Sequence, residues 1–117
     1  MKTLIVLNRN PYDGTDVTWN ALRLGDKLLD KGAELRVFLM NDSIDLAKEG
    51  VTPPEGYYNL TEMLQGLIEK GVQVKTCGTC LVRCGIHKNK PLIKGAPEST
   101  MPELAEWIID SDKVISF

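Results

Sequence analysis

The sequence predicts an α/β fold of three layers, α/β/α, around a mostly parallel five-stranded sheet. Three observations predict it. Five short apolar runs recur along the chain, at Leu4–Leu7, Leu35–Met40, Val72–Lys75, Leu92–Ile93 and Val114–Phe117. Most are continuously apolar rather than alternating, as strands are when both faces of a sheet are covered. Helical stretches separate most of them, the βαβ rhythm whose right-handed crossovers put helices on both faces.

After the first run, a helix is expected from Thr15 to Lys31, with Val17, Ala21, Leu24 and Leu28 as its apolar stripe and Gly32 as its stop. A shorter helix is expected from Ser43 to Glu49. The stretch Val51–Tyr58, VTPPEGYY, holds two prolines and adjacent tyrosines and reads as a loop. It is a surface connection packed on its own domain, an interface, or a site wall. Asn59 and Glu62 form an Asn-x-x-Glu capping box for a helix to Lys70 that buries Leu60, Met63, Leu64, Leu67 and Ile68 and stops at Gly71. Lys88–Ser99 carries two prolines and one glycine around the very short fourth run. Thr100 and Glu103 then cap a last helix, where Pro102 is tolerated because first-turn amides lack intrahelical partners.

A chain of 117 residues with 43% hydrophobic and 26% charged residues fits one domain, 1–117, with its own core. The net charge of −2 comes from acidic and basic residues mixed along the chain, so no nucleic-acid surface is expected. The apolar run after Met1 ends at Leu7. A secretory segment needs about 7–15 apolar residues and a membrane span about 20. A cytoplasmic protein, with reduced thiols and no membrane association, is expected.

All three cysteines, Cys77, Cys80 and Cys84, lie in VQVKTCGTCLVRCGIHK. A disulfide framework would spread them, and an odd count leaves one over. Cys77 follows an apolar strand directly, where chemistry gathers in a parallel sheet. Gly78 and Thr79 can turn the chain into a short helix or a nest of backbone amides, which stabilises a thiolate, and Arg83 can add to that effect. The cluster has three functional readings. One is a sulfur carrier or thiol nucleophile using one cysteine. Another is a dithiol redox pair, Cys77 with Cys80. The third is a metal site of Cys77, Cys80, Cys84 and His87. Structural zinc sites draw ligand pairs from separated segments, so no metal is assigned, and no cofactor is called for. Buried packing cysteines are the alternative, above all for Cys80 and Cys84. His87, the sole histidine, reads as a solvated side chain in a Lys-rich loop.

The loop Asn8–Asp16 joins a strand to a helix, an anion-binding geometry. It lacks a dinucleotide or phosphate-loop pattern, and Asp13 and Asp16 would repel phosphate. Asn10 and Tyr12 are candidate polar contacts of a site wall near Cys77; a capped turn is the alternative.

End to end, the chain resembles the DsrE/DsrF-like family, and most its YchN-type branch of small members. The resemblance rests on LIVLNRNPYDGTD, LRVFLMNDS, GYYNLTEML, VKTCGTCLVRCGI, PLIKGA and LAEWIIDSDKVISF. It implies a parallel five-stranded sheet between helical layers, assembly into trimers or hexamers, and a role in sulfur relay. It also implies that Cys77 receives sulfane sulfur as a persulfide from a donor protein and passes it to an acceptor protein. Cys80 matches a second cysteine of YchN-type members. Relatives often carry arginine where this chain has Cys84; here Arg83 lies one position earlier and stands, with Asn10 and Tyr12, as a candidate substrate-binding residue.

The leading expectation is a sulfur carrier, a sulfurtransferase rather than a turnover enzyme, with Cys77 as acceptor and Cys80 able to discharge it. The alternative is a non-catalytic assembly or regulatory module with redox-sensing cysteines. Val51, Tyr57, Tyr58, Trp19 and Trp107 are the sequence's own reason to expect a homo-oligomer, since aromatics off the main stripes would otherwise face water.

Overall fold

The computed structural model describes residues 1–83 and 90–117, with the Arg83 side chain also outside the description. Five strands, β1 (Lys2–Leu7), β2 (Glu34–Leu39), β3 (Gln73–Cys77), β4 (Glu98–Ser99) and β5 (Lys113–Ser116), form one sheet in the order β4-β3-β2-β1-β5. Every pairing is parallel. The helices are α1 (Val17–Asp30), α2 (Leu60–Glu69), α3 (Gly78–Arg83) and α4 (Met101–Asp110), and Asn41–Ala47 forms a 3-10 segment. No helix among the described residues is long and apolar enough to cross a membrane.

The fourth strand corrects the expectation. Leu92 and Ile93 do not lie in the sheet: Leu92 makes an isolated antiparallel bridge to Lys48, and the Ile93 N–H donates to the Ala47 carbonyl. Their apolarity serves packing beside the 3-10 segment, where Ile93 is buried. The sheet position goes instead to Glu98–Ser99, a polar pair defined only by its pairing with Thr76 and Cys77.

Side chains alternate across the sheet and sort into two cores. Ile5, Leu7, Leu35, Val37, Leu39 and Val74 face α1, α2 and the 3-10 segment. Leu4 and Phe38 face the other way, with Cys77, against Leu104 and Trp107 of α4. Two helices of 14 and 10 residues cover the first face, whereas α4 is the main cover of the second. The second layer is therefore the thin one.

Helix α1 turns a different stripe inward from the one expected. Thr18, Ala21, Leu22 and Gly25 are buried, while Leu24 is 38% exposed. Gly25 explains the rotation: a Cβ there would lie 3.0 Å from Leu35 Cδ2, so its missing side chain lets the helix approach the sheet. The N-cap half of each capping box forms. Asn59 Oδ1 accepts from the Glu62 N–H at 3.2 Å, and Thr100 Oγ1 accepts from the Glu103 N–H at 3.4 Å.

Candidate functional site

Cys77 is the last residue of β3, in register with Ser99 of β4, and Gly78 begins α3 with no intervening loop. The thiol side chain is 5% exposed. It sits in the second core among Leu4, Phe38, Leu104 and Trp107, with Val6, Met40 and Cys80 packed against that cluster. The structure thus places Cys77 and Cys80 at one cluster, with no disulfide between them.

Cys80 has a polar contact that the sequence did not reveal. The backbone N–H of Asn41 donates to its Sγ at 3.2 Å. Asn41 follows β2 and Met40 and is the one non-glycine with positive φ, 52°, among the described residues. Asparagine tolerates this left-handed region better than most residues. Its side chain is anchored as well: Asn41 Nδ2 donates to Asn8 Oδ1 at 3.0 Å. Asn8 Nδ2 in turn donates to Ser116 Oγ at 2.9 Å and to the Phe117 carbonyl at 3.0 Å. The carboxyl ends of β1, β2 and β5 are thereby tied beside Cys80. The available signal was the Asn-Asp-Ser sequence at the end of a strand, a turn-forming triplet.

The wall over Cys77 is fixed by charge as well as packing. Trp107 stands edge-on to Phe38 at a centroid distance of 6.1 Å. Arg36 Cζ and Lys75 Nζ approach the Trp107 ring at 5.1 and 4.7 Å, close enough for cation–π attraction. Lys75 Nζ also reaches Glu103 Oε2 at 3.1 Å, and the Ser99 hydroxyl donates to the same carboxylate oxygen. These two contacts, the hydroxyl foremost, hold the Glu103 carboxyl below its ordinary value. The residue paired with Cys77 in the sheet is thus joined directly to the first turn of α4. Trp107 is a core residue, 8% exposed, which corrects its expected place at a surface.

Asn10 and Tyr12 are engaged on the other side. Asn10 Oδ1 accepts from the Tyr12 N–H at 2.8 Å, and its amide donates to Asp45 at 3.4 Å. The Tyr12 hydroxyl accepts from the Leu60 N–H at the start of α2 at 3.1 Å. Its ring packs on the first core, edge-on to Tyr57. Tyr57 donates to Asp16 Oδ1 at 2.9 Å; burial, then the Asp16 carboxylate, push its pKa up to about 12. Tyr12 and Tyr57 border a cleft of about 250 Å³ with Gly14, Thr15 and Pro54–Gly56. Trp19 and Tyr58 stack on one another at 4.7 Å, so the VTPPEGYY loop packs aromatics against its own chain while leaving Tyr58 54% exposed.

Cys84, His87 and the side chain of Arg83 lie outside the described residues. Among the described residues, no group of three or more His, Cys, Asp or Glu side chains is placed to hold a metal.

Fold and site together define a small α/β protein with a sheltered thiol pair at the carboxyl end of a parallel sheet. The sequence matches the DsrE/DsrF-like family over residues 1–117, and the chain belongs to that family. It is 41% identical to the YchN protein of Escherichia coli K12 across 118 residues, covering 99% of this chain and 98% of that one. An uncharacterized protein of Methanocaldococcus jannaschii is 35% identical over the full length of both chains. The crystal structure of the E. coli ychN protein superposes with a TM-score of 0.88 at 40% identity, covering 100% of this chain and 99% of that one. A Methanobacterium thermoautotrophicum protein of unknown function shares the fold, with a TM-score of 0.70 at 11% identity and coverage of 99% and 98%.

Proposed function

We propose that this chain is a cytoplasmic sulfur-relay protein that carries sulfane sulfur as a persulfide on Cys77. The observation that supports this most is the setting of Cys77, a thiol at a strand's carboxyl end and 5% exposed among apolar side chains. Family membership supports it too, since the family is associated with sulfur relay. In loading, the Cys77 thiolate attacks the outer sulfur of a donor persulfide. A bond forms between Cys77 Sγ and that sulfur, and the donor thiolate leaves with the electron pair. Delivery to an acceptor thiolate is the same exchange reversed, so the protein ends unchanged. Shelter from water and stray thiols lengthens the life of the outer sulfur.

A homo-oligomer, trimer or hexamer, completes this reading. Val82 (75% exposed), Ile109 (85%) and Val114 (43%) are exposed apolar side chains of α3, α4 and β5. Contact between copies there would bury these apolar side chains.

The test is brief exposure of reduced protein to inorganic polysulfide, immediate alkylation, and mass spectrometry by residue. Wild type and Cys84→Ser are expected to gain one sulfur atom on Cys77, and Cys77→Ser to gain none at Cys80 or Cys84. Equal loading of wild type and Cys77→Ser would move the active thiol elsewhere. No loading in any variant would leave a non-catalytic module with packing or redox-sensing cysteines.

A further inference from the structure

We infer that Cys80 is a discharging thiol, which gives this carrier a second outcome: release of its load as hydrosulfide. The inference rests on the persulfide reading of Cys77 and adds to it. Two observations carry it. Cys80 packs against the same cluster as Cys77, one turn further along a chain that passes from β3 into α3 without a break. Its sulfur also receives the Asn41 N–H at 3.2 Å, from a backbone held in a left-handed conformation and braced through Asn8. A hydrogen bond to sulfur strengthens as charge develops there, so this donor favours the thiolate, the attacking form. A cysteine serving only to fill space requires no such donor.

Three residues apart across the junction of β3 and α3, and packed at one cluster, the two thiols can join once their Cβ atoms come within the roughly 3.5–4.5 Å that a disulfide needs. In the step, Cys80 thiolate attacks the inner sulfur, Cys77 Sγ. The Cys77–Cys80 bond forms and the bond from Cys77 Sγ to the outer sulfur breaks. The outer sulfur leaves as hydrosulfide with that bond's electron pair. The sulfane sulfur is reduced by two electrons and the thiol pair is oxidised by two, so no outside oxidant enters. A thiol reductant then restores the dithiol. The same site therefore delivers sulfur when an acceptor is docked and sheds hydrosulfide when none is.

The experiment follows polysulfide-loaded protein anaerobically after the donor has been removed by gel filtration. Hydrosulfide is measured by bimane trapping and the cysteines by peptide mapping. Wild type is expected to release hydrosulfide in step with a Cys77–Cys80 disulfide. Cys80→Ser is expected to keep one sulfur on Cys77 at least about tenfold longer. Equal lifetimes in the two proteins, or a disulfide joining Cys77 to Cys84, would overturn the inference while leaving the carrier reading intact. Loading of wild type but not of Cys80→Ser would also overturn the inference, and loading of neither would overturn the carrier reading with it.

Discussion

A Cβ placed on Gly78 would stand 2.5 Å from Glu98 Oε1 and 2.9 Å from its Cγ. The exposed Glu98 side chain lies over the residue that follows Cys77, so a Cβ there would force it to shift. Gly78→Ala is therefore expected to lower stability by about 1 kcal/mol, overpacking outweighing the better helix propensity of alanine. The double variant Gly78→Ala, Glu98→Ala should regain most of that loss. Urea unfolding of the four proteins measures the coupling. A Gly78→Ala protein as stable as wild type would show that Glu98 simply swings aside.

Asn41 offers a cleaner backbone test. Its φ of 52° is a region that glycine enters freely and alanine does not. Asn41→Gly and Asn41→Ala both lose the side-chain bond to Asn8, so their difference isolates the conformation. Asn41→Ala should be the less stable by about 1 kcal/mol, and its Cys80 should alkylate at a changed rate. Equal stability of the two variants would mean that the turn relaxes without cost.

Tyr57 sets a limit at alkaline pH. Its folded pKa, about 12, lies above the ordinary 10.0, so the neutral phenol is the form that the fold stabilises. The resulting stability is complete below pH 10 and is lost as pH rises through about 12. Spectrophotometric titration should show one tyrosine ionising near 12, and Tyr57→Phe should remove that step. Tyr57→Phe should also lose less stability than wild type between pH 9 and 11, roughly the span over which the unfolded phenol ionises. A last step that survives in Tyr57→Phe would assign it to another residue.

Association is open to direct weighing. Light scattering of the reduced protein at tens of micromolar is expected to give a trimer or hexamer mass. Ile109→Glu and Val82→Asp should shift it towards the protomer while circular dichroism stays unchanged, because both side chains are largely exposed within one chain. A wild-type species of 13.0 kDa would refute assembly.

The sequence carried local signals faithfully and distant ones poorly. The boxes at Asn59 and Thr100 were readable because cap and partner are three residues apart. The place of Cys77 at a strand end was readable because an apolar run and a glycine adjoin it. The stripe of α1 was misjudged because periodicity counts side chains, and Gly25 contributes by having none. Leu92–Ile93 looked like a strand because burial beside a 3-10 segment and burial in a sheet select the same residue types. Glu98–Ser99 gave no strand signal because pairing, not composition, makes it a strand. The Asn41–Cys80 contact spans 39 positions, and no spacing rule reaches that far.

The shortness of β4 also governs how the sheet can grow. It pairs with Thr76 and Cys77 alone, so among the described residues no strand lies beside Gln73–Lys75 on that side. At the opposite rim no strand among the described residues pairs with the outer edge of β5. Open rims are templates for adding further strands, and two unlike rims joined head to tail would build an endless ribbon. Here Pro97, which has no amide to donate, accepts from Thr76 at one rim next to the charge of Lys75, and Lys113 begins the other. Proline and lysine discourage strand addition where it would never terminate, which leaves the exposed apolar side chains as the surface for the proposed association, where a ring can close.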